Sequence, residues 1–348
     1  MNQKEFRKGS FARIAGVLAL AAVVGFTAVG CGGGKGSQEK SGAPDKQYVF
    51  KVGHAMPENH PFQKGLVKFA ELAAQKSNSK IKVEVFASGV LGGTRDRTEG
   101  VKNGIADMEL VGSTQLGAFV PQMLVADLPF IFRDYDHVDK VFQGEVGKKL
   151  AEASDKQGIK VLGWGENGFR HVFNRYRPVN SLEDMKGLKL RVFPNQVYVD
   201  TFKAMGTLPV TTDWGELFTA LSQKTVDGAE AAPAHFITSK FSEAGQKYFS
   251  MTGHMYVPAV LIMSSKKFSE MPADLQKALG EAAREAMDYQ RKLAREEEKG
   301  FLNEIKSKGV AINEIADKSK IMEQTKGVYT TFEPKIGKDL IEAVKNAK

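Results

Sequence analysis

The sequence predicts an α/β protein with two domains and one long helix that braces them. From Tyr48 onward, apolar segments with the two-residue period of strands alternate with segments of helical period. Strand, helix and strand in succession predict parallel strands joined by right-handed crossovers. A length of 348 residues is enough for two cores. Residues 273 to about 308 contain no proline and keep an apolar stripe, which predicts one helix of about 50 Å.

The first 30 residues have the layout of a signal peptide. Four basic residues between positions 4 and 13 precede the uncharged stretch 14–30, which is rich in Ala, Val, Leu and Gly. A retained membrane helix is the weaker alternative, because the apolar run is short and no charged segment follows it. We therefore expect the protein to be exported.

Cys31 is the single cysteine, so the chain cannot form an internal disulfide. The segment Ala28-Val29-Gly30-Cys31 resembles the lipobox of bacterial lipoproteins, although Ala28 stands where Leu is usual. We expect lipidation of Cys31, with cleavage without lipidation as the alternative. Residues 31–47 are polar and rich in Gly, Ser and Lys, which predicts a flexible tether. Membrane contact is then expected only through the lipid anchor.

The composition of the full sequence is that of a soluble globular protein, with 42% hydrophobic and 26% charged residues. The net charge of +8 is compatible with an anionic ligand. No dense run of Lys and Arg with interleaved aromatic residues is present, so we expect no nucleic-acid partner.

The elements follow from the periodicity and the caps, in chain order. Residues 181–184 begin a short helix with a capping-box pair, and the almost continuous apolar run 257–263 is typical of a strand buried on both faces. We predict strands or extended segments at 48–55, 81–86, 107–111, 159–164, 167–173, 188–192 and 257–263, and helices at 61–77, 94–103, 136–157, 196–205, 214–223 and 273–308.

The segment from Gly187 to Pro194 carries an unusual charge. Apolar side chains alternate with Lys189 and Arg191, and Pro194 ends the strand. Arg191 lies at the C-terminal end of this strand, which is where open α/β sheets bind ligands, and a guanidinium group matches a carboxylate. We interpret Arg191 as a ligand anchor.

The sequence lacks the common catalytic and cofactor motifs, including Gly-x-Ser-x-Gly, the Walker loop and His-Glu-x-x-His. His54 and His60 flank a short turn that could suggest a metal, but a turn shaping the start of the first helix is the better interpretation. We expect no metal and no cofactor. Trp214 is equally well explained as a core aromatic or as the apolar wall of a pocket.

From Tyr48 to the C-terminus the chain resembles the DctP-type extracytoplasmic solute-binding proteins of TRAP (tripartite ATP-independent periplasmic) transporters. The resemblance rests on many short motifs in one order. They are His60-Pro61, Leu91-Gly92-Gly93, Asp127-Leu128-Pro129-Phe130-Ile131-Phe132, Asn167-Gly168-Phe169-Arg170, Arg177-Pro178, Asp184 to Arg191, Glu216 to Leu221, and Val226-Asp227-Gly228-Ala229-Glu230.

This resemblance implies a two-lobed periplasmic-binding-protein-like fold, with crossing hinge strands and a long helix that spans both lobes. Lobe 1 is expected to comprise 48–168 with about 256–295, and lobe 2 to comprise 169–255 with about 296–348. A cleft between the lobes would close over a small organic anion, and the closed protein would deliver it to a membrane permease.

The resemblance also implies roles for individual residues. Arg191 matches the principal carboxylate-binding arginine of the family, and Arg170 matches a second arginine; by itself, Arg170 could also be a surface cation on an edge strand. The remaining expected cleft residues are Trp214, Phe193, Gln115, Thr114 and Ser113.

Two positions depart from the family pattern. Ala231 and Ala232 follow Glu230 where many members have an Asn, and Phe193 replaces a common Pro beside the anchor. The carboxylate end of the ligand is therefore predicted and its remainder is not. Two alternatives stay open: an exported enzyme acting on a carboxylate, and the ligand-binding subunit of a sensory receptor.

Overall fold

A computed structural model describes residues 46–348. The predicted signal peptide, Cys31 and nearly all of the predicted tether lie outside these residues. Within them, no helix is both long and apolar enough to cross a membrane.

One mixed sheet of nine strands runs through the part of the chain that the structure describes, in the order β2-β1-β3-β8-β4-β7-β5-β6, with β9 beside β8. The strands that join through crossovers are parallel, as predicted, whereas β8 is antiparallel to β3 and β4, and β4 is antiparallel to β7. The strands are β1 Tyr48–Gly53, β2 Ile81–Phe86, β3 Met108–Gly112, β4 Ile159–Asn174, β5 Lys189–Val192, β6 Leu208–Thr211, β7 Gly228–Ala231, β8 Tyr248–Ser264 and β9 Ala311–Glu314.

Helices cover the sheet and link its strands. Two 3-10 helices, Ser113–Ala118 and Pro121–Asp127, follow β3. The α-helices are α1 Pro61–Lys76, α2 Thr94–Lys102, α3 Tyr135–Gln143, α4 Glu145–Asp155, α5 Leu182–Met185, α6 Gln196–Ala204, α7 Trp214–Ser222, α8 Pro233–Thr238, α9 Ser265–Ser269, α10 Ala273–Ser307, α11 Ser319–Ile336 and α12 Lys338–Lys345.

The long strands β4 and β8 tie the two halves of the sheet together. The last residues of β8 pair with β3, while the last residues of β4 pair with β7. The separate segments predicted at 159–164 and 167–173 are wrong, because they form one strand. Register shifts in β4, one of them between Glu166 and Gly168, interrupt its side-chain alternation. The predicted strand 257–263 is likewise only the C-terminal part of β8.

The single helix predicted at 136–157 is also wrong, because Gly144 divides it into α3 and α4. The backbone of Gly144 is extended, at φ −92° and ψ −160°, and it caps the second helix. Asp134 caps the first by accepting a hydrogen bond from the His137 amide at 2.7 Å. Helical periodicity on both sides of the glycine conceals this break.

The long helix predicted at 273 to about 308 is confirmed as α10, which has 35 residues and lies against α1, β4 and α8. At 1.5 Å per residue it extends about 50 Å. Gln290 is fully buried in its middle, donating to the Glu166 carbonyl at 2.9 Å and accepting from the Glu166 amide at 2.7 Å. Gly65 on α1 permits this approach, because a Cβ there would lie 2.5 Å from Gln290 Cγ. The helix thus completes backbone bonding at the irregular part of β4.

Candidate ligand-binding site

Arg191 lies on β5, which pairs with β6 on one side and β7 on the other. Its side chain is fully buried, and Nε and Nη2 both donate to the Thr212 carbonyl, at 2.9 and 2.7 Å. Among residues 46–348, Nη1 has no hydrogen-bond partner. A buried N–H group of a cation without an acceptor is costly, so this nitrogen is suited to an anion that enters from outside the chain.

Arg170 lies on β4 and is also fully buried, so the alternative of a surface cation on an edge strand is wrong. Its Nε donates to Glu230 Oε2 at 2.6 Å, and Nη2 donates to the Glu230 carbonyl at 3.1 Å. Glu230 belongs to β7, the strand between β4 and β5. Nη1 of Arg170, like that of Arg191, has no partner within the described chain.

Two aromatic rings hold the guanidinium groups in place. The guanidinium carbons of Arg191 and Arg170 lie 4.8 and 5.6 Å from the centre of the Phe193 ring. Arg191 also lies 5.7 Å from the centre of the Trp214 ring. These are cation–π distances, which stabilise a positive charge removed from water. The structure therefore brings four of the predicted residues together.

Trp214 fits both interpretations left open by the sequence, a core aromatic and the apolar wall of a pocket. The half-buried indole packs edge-on against Phe241 and His235, each with a centroid distance of 5.5 Å. It also lines a small cavity of about 40 Å³. The side chain is both a packed aromatic and part of a cavity wall.

Gln115 lines the same cavity, whereas Thr114 and Ser113 have different surroundings. The Thr114 hydroxyl donates to Asp127 Oδ1 at 2.7 Å. Asn195, the N-cap of α6, donates to Asp127 Oδ2 at 2.9 Å. Ser113 is fully buried, its Oγ has no partner among the described residues, and it does not line the cavity.

Burial shifts the pKa values of ionisable side chains at the site. Removal from water and the neighbouring Arg170 lower the pKa of Arg191 to about 10, while Glu230 opposes this change. Burial raises the pKa of Asp127 to about 7, against the hydrogen bonds from Thr114 and Asn195. Arg191 therefore remains protonated at neutral pH.

The turn with His54 and His60 starts α1, in agreement with the preferred interpretation. His60 is the N-cap, its Nδ1 accepts from the Phe62 amide at 3.1 Å, and Pro61 occupies the first helical position. No group of three or more His, Cys, Asp or Glu side chains within 46–348 is arranged to hold a metal ion.

The sequence missed several polar residues at this site. Glu230 was visible only as part of a motif, and Asp127 likewise. Asn167 and His235 both line the cavity, and Asn167 Oδ1 is buried without a partner in the described chain. Asn167 precedes a positive-φ glycine, Gly168, at 102°, next to a register shift in β4. The Asn-Gly pair was the one local signal of an irregular backbone there.

Comparisons with known proteins agree with this architecture. The family model for DctP, described as bacterial extracellular solute-binding protein family 7, matches residues 52–335. A solute-binding protein of Verminephrobacter eiseniae is 34% identical over 80% of this chain and 83% of its own length. The 2,3-diketo-L-gulonate-binding periplasmic protein YiaO of Escherichia coli is 33% identical over 80% of this chain and 85% of its own.

The fold is also that of solved members of the family. A TRAP periplasmic solute-binding protein from Polaromonas, bound to D-erythronate, superposes with a TM-score of 0.84 at 35% identity, covering 87% of this chain and 99% of that one. The α/β two-lobed fold with crossing strands is thereby confirmed. The chain belongs to the bacterial extracellular solute-binding protein family 7, the DctP family of TRAP transporter solute-binding proteins.

Proposed function

We propose that this chain captures a small organic acid by pairing the acid's carboxylate with Arg191 and Arg170. The observation that carries this proposal is a charge imbalance in a buried place. Of the two fully buried guanidinium groups, Arg170 pairs with the Glu230 carboxylate and Arg191 donates to the Thr212 carbonyl, and each retains an unpartnered Nη1. One carboxylate from a ligand would satisfy both nitrogens and balance the remaining positive charge.

The proposed binding step needs closure of the two lobes, 48–168 with about 256–295 and 169–255 with about 296–348. β4 and β8 would act as the hinge, since they connect both parts of the sheet and β4 changes register near Gly168. The hydrogen bond from Asn195 to Asp127 already joins residues of the two proposed lobes, which supports a closed arrangement. Water would be excluded from the charge pair, which strengthens it.

The proposed destination of the ligand is a membrane permease of the TRAP type. Residues 1–30 would direct export, and Cys31 would hold the mature protein at the extracytoplasmic face through lipid. No bond of the ligand would be made or broken. Replacement of Cys31 by Ser should release the protein from the membrane fraction if the anchor is lipid, and unchanged fractionation would contradict the anchor.

The function is tested by a thermal-shift screen of the purified protein against organic acids, followed by calorimetry. YiaO is named for binding 2,3-diketo-L-gulonate, the Polaromonas protein was solved with D-erythronate, and a TRAP solute-binding protein of Sulfurospirillum deleyianum was solved with succinate. Hydroxylated acids and dicarboxylates therefore form the panel. A ligand at 100 times its Kd should stabilise the protein by about 2.7 kcal/mol. If no acid stabilises the protein, the proposal is contradicted. If mass spectrometry detects chemical conversion of the bound acid, the alternative of an exported enzyme is favoured.

A further inference from the structure

The cavity lined by Phe193 and Trp214 also contains polar side chains to which neither the sequence nor the family resemblance gave a role. These side chains are Asn167, His235 and Arg97. Resting on the proposed function, we propose that His235 donates, and Asn167 accepts, hydrogen bonds to hydroxyl groups of the ligand. This pair would select a hydroxylated monocarboxylate over a dicarboxylate.

The donor role of His235 follows from two successive hydrogen bonds. The Phe62 amide donates to His60 Nδ1 at 3.1 Å, so the proton of a neutral His60 is at Nε2. That Nε2 lies 3.5 Å from His235 Nδ1, with the ring centres 4.5 Å apart and the planes at 72°. His235 Nδ1 therefore accepts, and its own proton is at Nε2. A backbone amide thus fixes the tautomers of both rings.

Both histidines are held neutral by their surroundings. Burial lowers the pKa of His60 well below 6.5, and His54, Lys64 and Arg170 add to this effect. Burial lowers the pKa of His235 likewise, together with His60 and Arg170. A neutral imidazole donor is suited to a hydroxyl oxygen and offers no counter-charge to a carboxylate.

Asn167 supplies the complementary acceptor. It is 7% exposed, and its Oδ1 is buried with no partner among residues 46–348. A buried amide oxygen without a partner costs free energy, which a hydroxyl group of the ligand would recover by donating to it. A hydroxyl can donate to Asn167 and accept from His235, whereas an ionised carboxylate can only accept.

Arg97, the one cation among the residues that line this cavity, is already engaged. Its Nε donates to Glu109 Oε1 at 3.1 Å, Nη2 lies 3.0 Å from the same oxygen, and Nη1 donates to the Gly92 carbonyl. Each of its three nitrogens therefore has a protein partner. A second carboxylate on the ligand would meet no free cation in this part of the cavity.

The test compares three four-carbon probes by calorimetry: erythronate, butyrate and succinate. The wild-type protein should bind erythronate at least about 10-fold more tightly than either of the others, since a site built for hydroxyl groups rejects ligands that lack them. His235→Phe keeps an aromatic ring against Trp214 and removes the donor. This substitution should weaken the affinity for erythronate about 10-fold and leave the affinity for butyrate unchanged.

Several outcomes would overturn this inference. Equal losses for erythronate and butyrate in His235→Phe would assign His235 a structural role, and tighter binding of succinate than erythronate would contradict the selectivity. Long-range ¹H–¹⁵N NMR of the wild-type protein is independent of any variant and should show the Nε2–H tautomer for His60 and His235, and the Nδ1–H tautomer would overturn the donor assignment. If no carboxylate binds the wild-type protein, the proposed function is wrong as well. If carboxylates bind but erythronate is not preferred, only the inference about hydroxyl groups is wrong.

Discussion

Replacement of Arg191 by Met separates ligand binding from folding. The side chain is fully buried, and Nη1 is its unpartnered donor within the described chain. Loss of one partner from a buried, hydrogen-bonded charge pair costs about 2 to 5 kcal/mol. At about 1.4 kcal/mol for each factor of ten, Kd for the bound acid should rise by about 30-fold or more.

The same change should affect the empty protein much less. Arg191→Met removes two hydrogen bonds to the Thr212 carbonyl, but it also removes a charge whose burial is costly, and these two effects oppose each other. We therefore expect the ligand-induced rise in melting temperature to disappear while the melting temperature without ligand changes little.

Lys189→Met is the matched control, since it removes the same charge from the same strand at an exposed position. Both variants would be titrated by calorimetry with the acid that binds the wild-type protein most tightly. Affinity of Arg191→Met within threefold of the wild type would refute the anchor, and so would equal losses in the two variants.

Three further changes test the buried polar groups and the long helix. Glu230→Gln leaves the Arg170 charge buried without its counter-ion, so the free energy of unfolding in urea should fall by about 3 to 5 kcal/mol; a loss below about 1 kcal/mol would contradict this. Because the pKa of Asp127 is raised from 3.8 to about 7, the folded state retains a proton that the unfolded state loses, and stability falls as the pH rises between these values. Asp127→Asn should flatten the pH profile of the melting temperature over that range, and an unchanged slope would be evidence against the shift. Gly65→Ala should destabilise the protein by about 1 to 3 kcal/mol through its clash with Gln290, and by less in a Gln290→Ala background; additive losses in this double-mutant cycle would exclude the contact.

The regular elements were largely predictable from local patterns. The prediction for α10 is correct to within one residue at its C-terminus, because an uninterrupted apolar stripe without proline is typical of an amphipathic helix. The capping box at Ser181 and the proline-containing start of α1 were equally visible. The predicted elements were wrong where the local pattern was ambiguous. At Gly144 the helical pattern does not show that one helix ends and another begins, and in β4 register shifts interrupt the alternation of a single strand.

Several elements were not predicted from the local sequence pattern. No strand or helix was predicted at β6, β7, α8, α9, β9, α11 or α12, although each forms in the structure. β7 has the sequence Gly-Ala-Glu-Ala, which has little strand propensity and forms a strand between β4 and β5. Pairing on both sides, and not propensity, therefore determines its conformation.

The sequence by itself determined the α/β class, the long helix, the family resemblance and the unusual charge of Arg191 in an apolar strand. Only the tertiary structure decided which groups meet that charge. Arg170 and Glu230 are 60 residues apart, and His60 and His235 are 175 apart. Their contacts depend on which strands pair and in which register, and a local periodicity contains neither kind of information. The same is true of burial, which removes both arginines from water and so makes an unpartnered N–H group costly.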